Sequence, residues 1–357
     1  MKSLIQKLVE TPGPSGHETQ IRAVICEEIE PLVDEVRVDN LGNLIARKAP
    51  TILEDYPGRS RPKIMLAAHI DEIGVINTHV DENGFIRFLP VGGVRPHSCL
   101  GGRVRFLNGT EGVIGVEQNL GAPRAETSSS MPDFDQMFID VGASNRKECS
   151  LRVGDMAVFD RPFLDLGNRL VSKAMDDRIG VAVLIESLRQ IKSQSISIPH
   201  QLFLVFSVQE EVGLRGAMTA AFAVDPDLGL ALDVTACGDT PRGIKMDVGL
   251  GKGPAIKVRD EGMLADPRMV DWMIDTAKHA RLPYQLEVLV GGTTDARSIQ
   301  LTRTGVPAGC LSIPCRYIHS PSEMVDFDDV QNAVKLLIEL LRNPVRFLDA
   351  LQSPIIL

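Results

Sequence analysis

Five short segments carry the side chains of this chain most able to do chemistry. They are Ala68-His69-Ile70-Asp71, Met175-Asp176-Asp177-Arg178, Gln209-Glu210-Glu211-Val212-Gly213, Leu232-Asp233-Val234 and Tyr317-Ile318-His319-Ser320. Imidazoles and carboxylates in this mixture are donors that divalent cations accept. Hydrolysis by two ions about 3.5–4 Å apart needs a bridging carboxylate, terminal His and carboxylate ligands, and a free carboxylate to take a proton from water. The five segments together supply each of those parts.

Each segment also has an ordinary explanation. Glu210-Glu211 reads as a solvated loop pair, except that the apolar run from Gln201 to Val208 leads straight into it. Side chains alternate at a strand end, so the two point different ways, and one can bind a cation while the other faces water. Asp176-Asp177 precedes a helical pattern and could simply favour that helix's amino terminus. The alternative is that Asp176 bridges two ions while Asp177 orients a histidine ligand. The His69–Asp71 spacing puts both side chains on one face of extended chain, with Asp71 placed to support His69. Asp233 ends an apolar run, and a carboxylate there must be paired or metal-bound to offset its desolvation. His319 taken alone reads as surface loop. His17, His79, His97, His200 and His279 have no carboxylate at telling spacing and read as structural.

Gly291-Gly292-Thr293-Thr294-Asp295-Ala296 has neither the GxGxxG nor the GxxxxGK[ST] pattern, which excludes a nucleotide loop. It reads as a tight turn that lets substrate backbone approach Gly292, Thr293 and Asp295, with Asp295 capping the next helix.

The elements that must position these residues follow from apolar patterning. Lys63 to Ala68 is a continuous apolar run of strand length, as in a strand buried on both faces, and it delivers His69 and Asp71. From about Gly74 to Phe163 short alternating runs are divided by Gly, Asn and Pro, the texture of a small barrel or sandwich. Afterwards helices (Ile179 to Ile191, Arg268 to Ala280, Phe327 to Leu341) alternate with apolar strands (Gln201 to Val208, Leu228 to Val234, Ala308 to Ile313). The expected fold is a three-layer α/β/α sandwich with a mixed sheet, carrying an inserted small β-barrel domain. The catalytic domain is then 1–73 and 166–357, and the insertion 74–165. The site belongs at the carboxyl ends of the parallel strands.

Composition narrows the partners. Net charge is −9, with no clustered Lys/Arg run, which argues against nucleic acid or an anionic membrane. Six scattered cysteines without CxxC spacing suit reduced thiols, and the Lys-interrupted start is neither signal peptide nor membrane span. A cytoplasmic protein is expected.

In this order and spacing the segments resemble the tetrahedral aminopeptidase family, the dinuclear metallopeptidases related to glutamyl aminopeptidase. The opening Thr11-Pro12-Gly13-Pro14-Ser15-Gly16-His17-Glu18, the Gly238-Asp239-Thr240-Pro241 turn and the closing Ile313 to Glu323 segment share the resemblance, which runs over essentially the whole chain. It implies a zinc-peptidase-like fold and two divalent ions (Zn, Co or Mn). Asp176 would bridge them, His69 and Asp233 would complete one position, and Glu211 and His319 the other, with Glu210 as general base. It also implies a cis Asp176–Asp177 peptide, an insertion used for dimerisation, and dimers assembling into a hollow dodecamer. The chain departs from the family at Val94-Arg95, often Trp-Asp, and at Arg297, often a small residue.

The expected reaction is hydrolysis of the amino-terminal bond of short peptides. A deacylase or amidohydrolase acting on small N-acyl compounds is the competing enzyme reading. A non-catalytic binding protein of the same fold is the competing class. A glycosidase would need stacking aromatics, and the chain has one Trp and three Tyr.

Overall fold

The computed structural model describes residues 1–52, 61–117 and 132–348. Parts of the expected insertion and of the chain's end therefore lie outside the described residues. Four parallel strands form the middle of a large mixed sheet, in the order Gln201–Ser207, Lys63–His69, Leu228–Thr235 and Ala308–Arg316. Leu44–Lys48 and Glu35–Val38 extend one edge antiparallel, and Glu323–Asp326, Arg169–Ser172 and Leu164–Asp165 extend the other.

The apolar central strands follow from burial on both faces. In Lys63–His69, Ile64, Leu66 and Ala68 enter one core, with helices that include Thr19–Ile29, Met175–Ser193 and Phe327–Arg342. Met65 and Ala67 enter a second core on the other face, against Ala220, Ala221 and Ile299. Period-two alternation thus divides one apolar run between two helix layers, and the expected three-layer sandwich is present.

Residues 74–159 contain a closed six-stranded antiparallel barrel, built from Gly74–Val80, Ile86–Val91, Arg103–Phe106, Glu111–Val116, Met137–Asp140 and Met156–Phe159. It has its own apolar cluster around Phe88, Phe106, Met137 and Phe159. Closure pairs the strand edges that an open sheet would leave exposed. Leu164–Asp165 already hydrogen-bonds to Arg169–Ser172 in the large sheet.

Several elements differ from the sequence reading. The strand expected to run to Val208 ends at Ser207, and a helix at Arg215–Val224 follows. That helix packs through Gly216, Ala217, Ala220 and Ala221, residues too small to mark an apolar stripe. Ala255–Arg259 and Gln285–Val288 form a parallel pair attached to Ala308–Arg316. Among the described residues no helix is long and apolar enough to cross a membrane.

Candidate metal centre

Each of the five segments lies at or just beyond a strand end on the carboxyl side of the parallel strands. Lys63–His69 ends on His69, whose neighbour Ile70 still donates its N–H to Ser207 O at 2.8 Å. The two residues after His69 bring Asp71 back beneath the ring: Nδ1 lies 3.1 Å from the Asp71 carbonyl oxygen and 3.5 Å from its Oδ1. Asp71 is fully buried and also accepts from Ser15 Oγ at 2.6 Å, Glu210 N at 2.9 Å and Glu211 N at 3.2 Å. Those donors, together with the imidazole, overcome the upward push of burial and hold its carboxyl below the usual range.

The amide acceptors of Asp71 explain how Glu210 and Glu211 are aimed. Strand alternation does not place them, because the strand has ended. Gln209 takes a left-handed conformation (φ 55°), and the chain turns so that Gly213 N and Leu214 N both donate to Glu210 O. Both carboxylates consequently reach the cluster: Glu210 Oε2 lies 3.9 Å from His69 Nε2, and Glu211 Oε2 lies 3.2 Å from His319 Nε2.

Asp176 stands between the two histidines. Its Oδ1 is 2.9 Å from His69 Nε2 and its Oδ2 is 3.3 Å from His319 Nε2. The Asp176–Asp177 peptide is cis, as the resemblance implies, and both residues have non-helical dihedrals before the regular helix begins. Asp233 projects from the Leu228–Thr235 strand, with Oδ1 4.0 Å from His69 Nε2. Ligand atoms of His69, Asp177 and Asp233 lie within 4.8 Å of one another, as do those of His69, Asp176 and Glu211.

Two expectations are corrected. Asp177 does not hydrogen-bond a histidine ring: its Oδ1 accepts from Gly180 N at 3.0 Å, and the contact that orients His69 comes from Asp71. Asp295 does not cap the helix Asp295–Gln300. Thr294 does, accepting from Ala296 N at 3.3 Å, while Asp295 is buried and accepts from the Ser207 hydroxyl. The Ser207 contact puts Asp295 against the end of the Gln201–Ser207 strand. Gly292 is exposed with φ 71°, and Thr293 packs against Gly262. Of the histidines set aside, His17 is exposed and His200 is buried on Asn343 O.

Sequence reasoning missed two contributions. Glu323, four residues beyond His319 in a Ser/Pro-rich loop, is buried and accepts from both His319 N and Asp176 N. The barrel also reaches the site, because Gly92-Gly93 follows its Ile86–Val91 strand and a Cβ on Gly93 would lie 2.2 Å from His319 Nδ1. The two adjacent glycines were the available signal.

The electrostatics fit a cationic occupant. Among the described residues no Lys or Arg forms an ion pair with Asp176, Glu210, Glu211 or Asp233. Burial, reinforced by neighbouring carboxylates, pushes Asp233, Asp177 and Glu210 well above the usual carboxylate range. Burial would lower the His319 ring, but Asp176 and Glu211 outweigh it and push the ring up to about 11. Asp177 Oδ2 and Glu211 Oε1 are buried without a hydrogen-bond partner. Such a crowd of acids is costly in a protein interior unless positive charge offsets it. Two divalent cations would do so with the donors they prefer.

A donor set of this kind at the carboxyl edge of a three-layer sheet points to the cation-assisted hydrolases. The M42 glutamyl aminopeptidase family matches residues 50–336, and the chain belongs to that family. A lysyl aminopeptidase of Pyrococcus furiosus is 38% identical over 349 residues, covering 95% of this chain and 96% of the relative. The solved structure of an aminopeptidase from the archaeon Desulfurococcus kamchatkensis superposes with a TM-score of 0.91 at 39% identity, covering 99% of this chain and 98% of that one. A Pyrococcus horikoshii TET1 peptidase, able to assemble into a tetrahedron or a large octahedral shell, superposes at 0.84 with 31% identity, covering 96% and 99%. The protein is an aminopeptidase.

Proposed function

We propose that this aminopeptidase removes amino-terminal residues from short peptides with two divalent ions, Zn, Co or Mn, and Glu210 as general base. The observation that carries the reading is the split of Asp176, one oxygen facing His69 at 2.9 Å and the other facing His319 at 3.3 Å. A carboxylate so placed suits a bridge, with His69 and Asp233 on one side and Glu211 and His319 on the other. Bound there, the ions would supply Lewis-acid polarisation of the scissile carbonyl and acidify water.

The chain's own residues do the rest. Glu210 is held by Asp71 through its backbone N–H, and among the described residues no Lys or Arg pairs with its carboxylate. Burial, with Asp233, Asp295 and Glu211 nearby, outweighs the opposing pull of His69 and raises its proton affinity. Glu210 Oε2 therefore accepts a proton from water and returns it to the departing amine. Asp71 fixes the His69 ring, and the exposed Gly291-Gly292 turn with Thr293 offers room for peptide backbone.

We further propose that segment 74–165 is a domain that pairs two copies and that the pairs build a dodecamer in the cytoplasm. The shell-forming relative supports this assembly. Light scattering on the purified protein measures it.

Glu210→Gln tests the chemistry, since it keeps the shape and removes the base. Turnover of unblocked peptides should fall about 10²–10⁴-fold with metal content unchanged. Near-normal turnover would reject Glu210 as base, and release of acetate from N-acetyl amino acids without cleavage of free peptides would favour the deacylase reading.

A further inference from the structure

Glu323 takes no part in the ligand set, yet it touches the backbone of two residues that do. It opens the Glu323–Asp326 strand opposite Ser172 and is 1% exposed. Oε1 accepts from His319 N at 2.8 Å and Oε2 from Asp176 N at 3.0 Å. Two N–H groups stand where a buried carboxylate would otherwise need a cation. The residues it grips are those whose side chains meet at 3.3 Å, His319 Nε2 to Asp176 Oδ2.

Neither backbone is fixed by regular structure. His319 lies in a left-handed conformation (φ 60°) between strands, and Asp176 precedes the regular helix with ψ 106°. His69, by contrast, is secured by its strand and by Asp71.

We infer that Glu323 is a positioning residue: by accepting one backbone N–H on each oxygen it sets the spacing of Asp176 and His319, and so the cation position that His319 and Glu211 flank. The inference rests on the two-ion reading above. Ligand geometry tolerates displacements of only about 0.5 Å, so a clamp spanning two loops controls affinity.

The test uses Co²⁺ alone as probe, titrated into metal-stripped full-length protein and followed by calorimetry and visible absorption. Wild type should show two sites; if it does not, the two-ion reading itself fails. Glu323→Gln offers one acceptor and turns an amide N–H₂ against the other backbone N–H. One site should weaken by about tenfold or more while the other stays within about threefold. Two sites of wild-type affinity, or equal loss at both, would overturn the positioning role and leave the two-ion reading standing. Should Glu323→Gln fail to fold, Glu323→Asp, which keeps the charge but reaches a single N–H, is judged by the same criterion. A general loss of stability would not single out one site.

Discussion

Adding one methyl group at Gly93 should disable half of the site without replacing any residue of the cluster. The Cβ of Gly93→Ala would meet His319 Nδ1 at 2.2 Å, Cε1 at 2.5 Å and Cγ at 3.2 Å, so the imidazole itself blocks it. Ordinary contact begins near 3.4 Å, and the ring must therefore retreat by about 1.2 Å. That is more than twice the roughly 0.5 Å within which a ligand constellation keeps its function. Retreat carries Nε2 away from Asp176 Oδ2 and Glu211 Oε2, now 3.3 and 3.2 Å distant. Disturbing the support of a metal ligand typically lowers affinity about 10–100-fold. Gly93→Ala should lose metal at the His319 position, read by elemental analysis after dialysis against a metal buffer, and lose peptide turnover in parallel. Gly93→Ala protein with full metal content and full turnover would refute the idea that the barrel loop fixes the His319 ring.

Two further predictions concern stability. Glu72 is 2% exposed and holds the buried Lys173 Nζ at 2.7 and 2.9 Å, so Glu72→Gln should cost on the order of 3 kcal/mol in urea unfolding, and a loss below about 1 kcal/mol would contradict it. Burial holds the His200 ring below its ordinary pKa while its Nε2–H donates to Asn343 O at 2.9 Å. The unfolded chain then binds a proton that the folded chain resists, so this contribution is full above about pH 6.5 and is lost as pH falls below it. His200→Gln should flatten the fall of Tm between about pH 7 and 5, and parallel Tm profiles would contradict the assignment.

What the sequence made legible was whatever depends on period and on strand ends. Lys63–His69 is an apolar run because both of its faces are covered, so its type and its terminal His69 could be read directly. Alternation and turns marked the inserted β domain as a barrel or a sandwich, and its closure shows only in the strand pairing. The helix Arg215–Val224 did not, because it packs on alanines and a glycine, which mark no stripe. The aim of Glu210 and Glu211 was misjudged for a related reason. Alternation is a rule for strands, and a left-handed Gln209 replaces it with a turn that no apolar period records. Glu323 stayed hidden because its partners are backbone N–H groups, and a sequence gives no sign of which amides a carboxylate will meet.

That last point explains how so acidic a site is held open when, among the described residues, no Lys or Arg pairs with Asp176, Glu210, Glu211 or Asp233. Asp71 accepts from the amides of Glu210 and Glu211, Glu323 from those of Asp176 and His319, and Glu18 from those of Gly16 and Gln209. Three buried carboxylates therefore fasten the loops that carry the cluster, each through two N–H donors. A Lys or Arg in any of these places would neutralise the carboxylate equally well, but it would also put a full positive charge beside the donors and compete with cations for them. Backbone dipoles satisfy the acid and leave the net negative field of the centre intact. The same choice leaves Glu210 with a raised proton affinity: burial, with Asp233, Asp295 and Glu211 nearby, outweighs the pull of His69. Fixing the loops and tuning the base are thus one arrangement: the acids that fasten the loops lean chiefly on backbone N–H donors, and among the described residues no Lys or Arg pairs with Asp176, Glu210, Glu211 or Asp233.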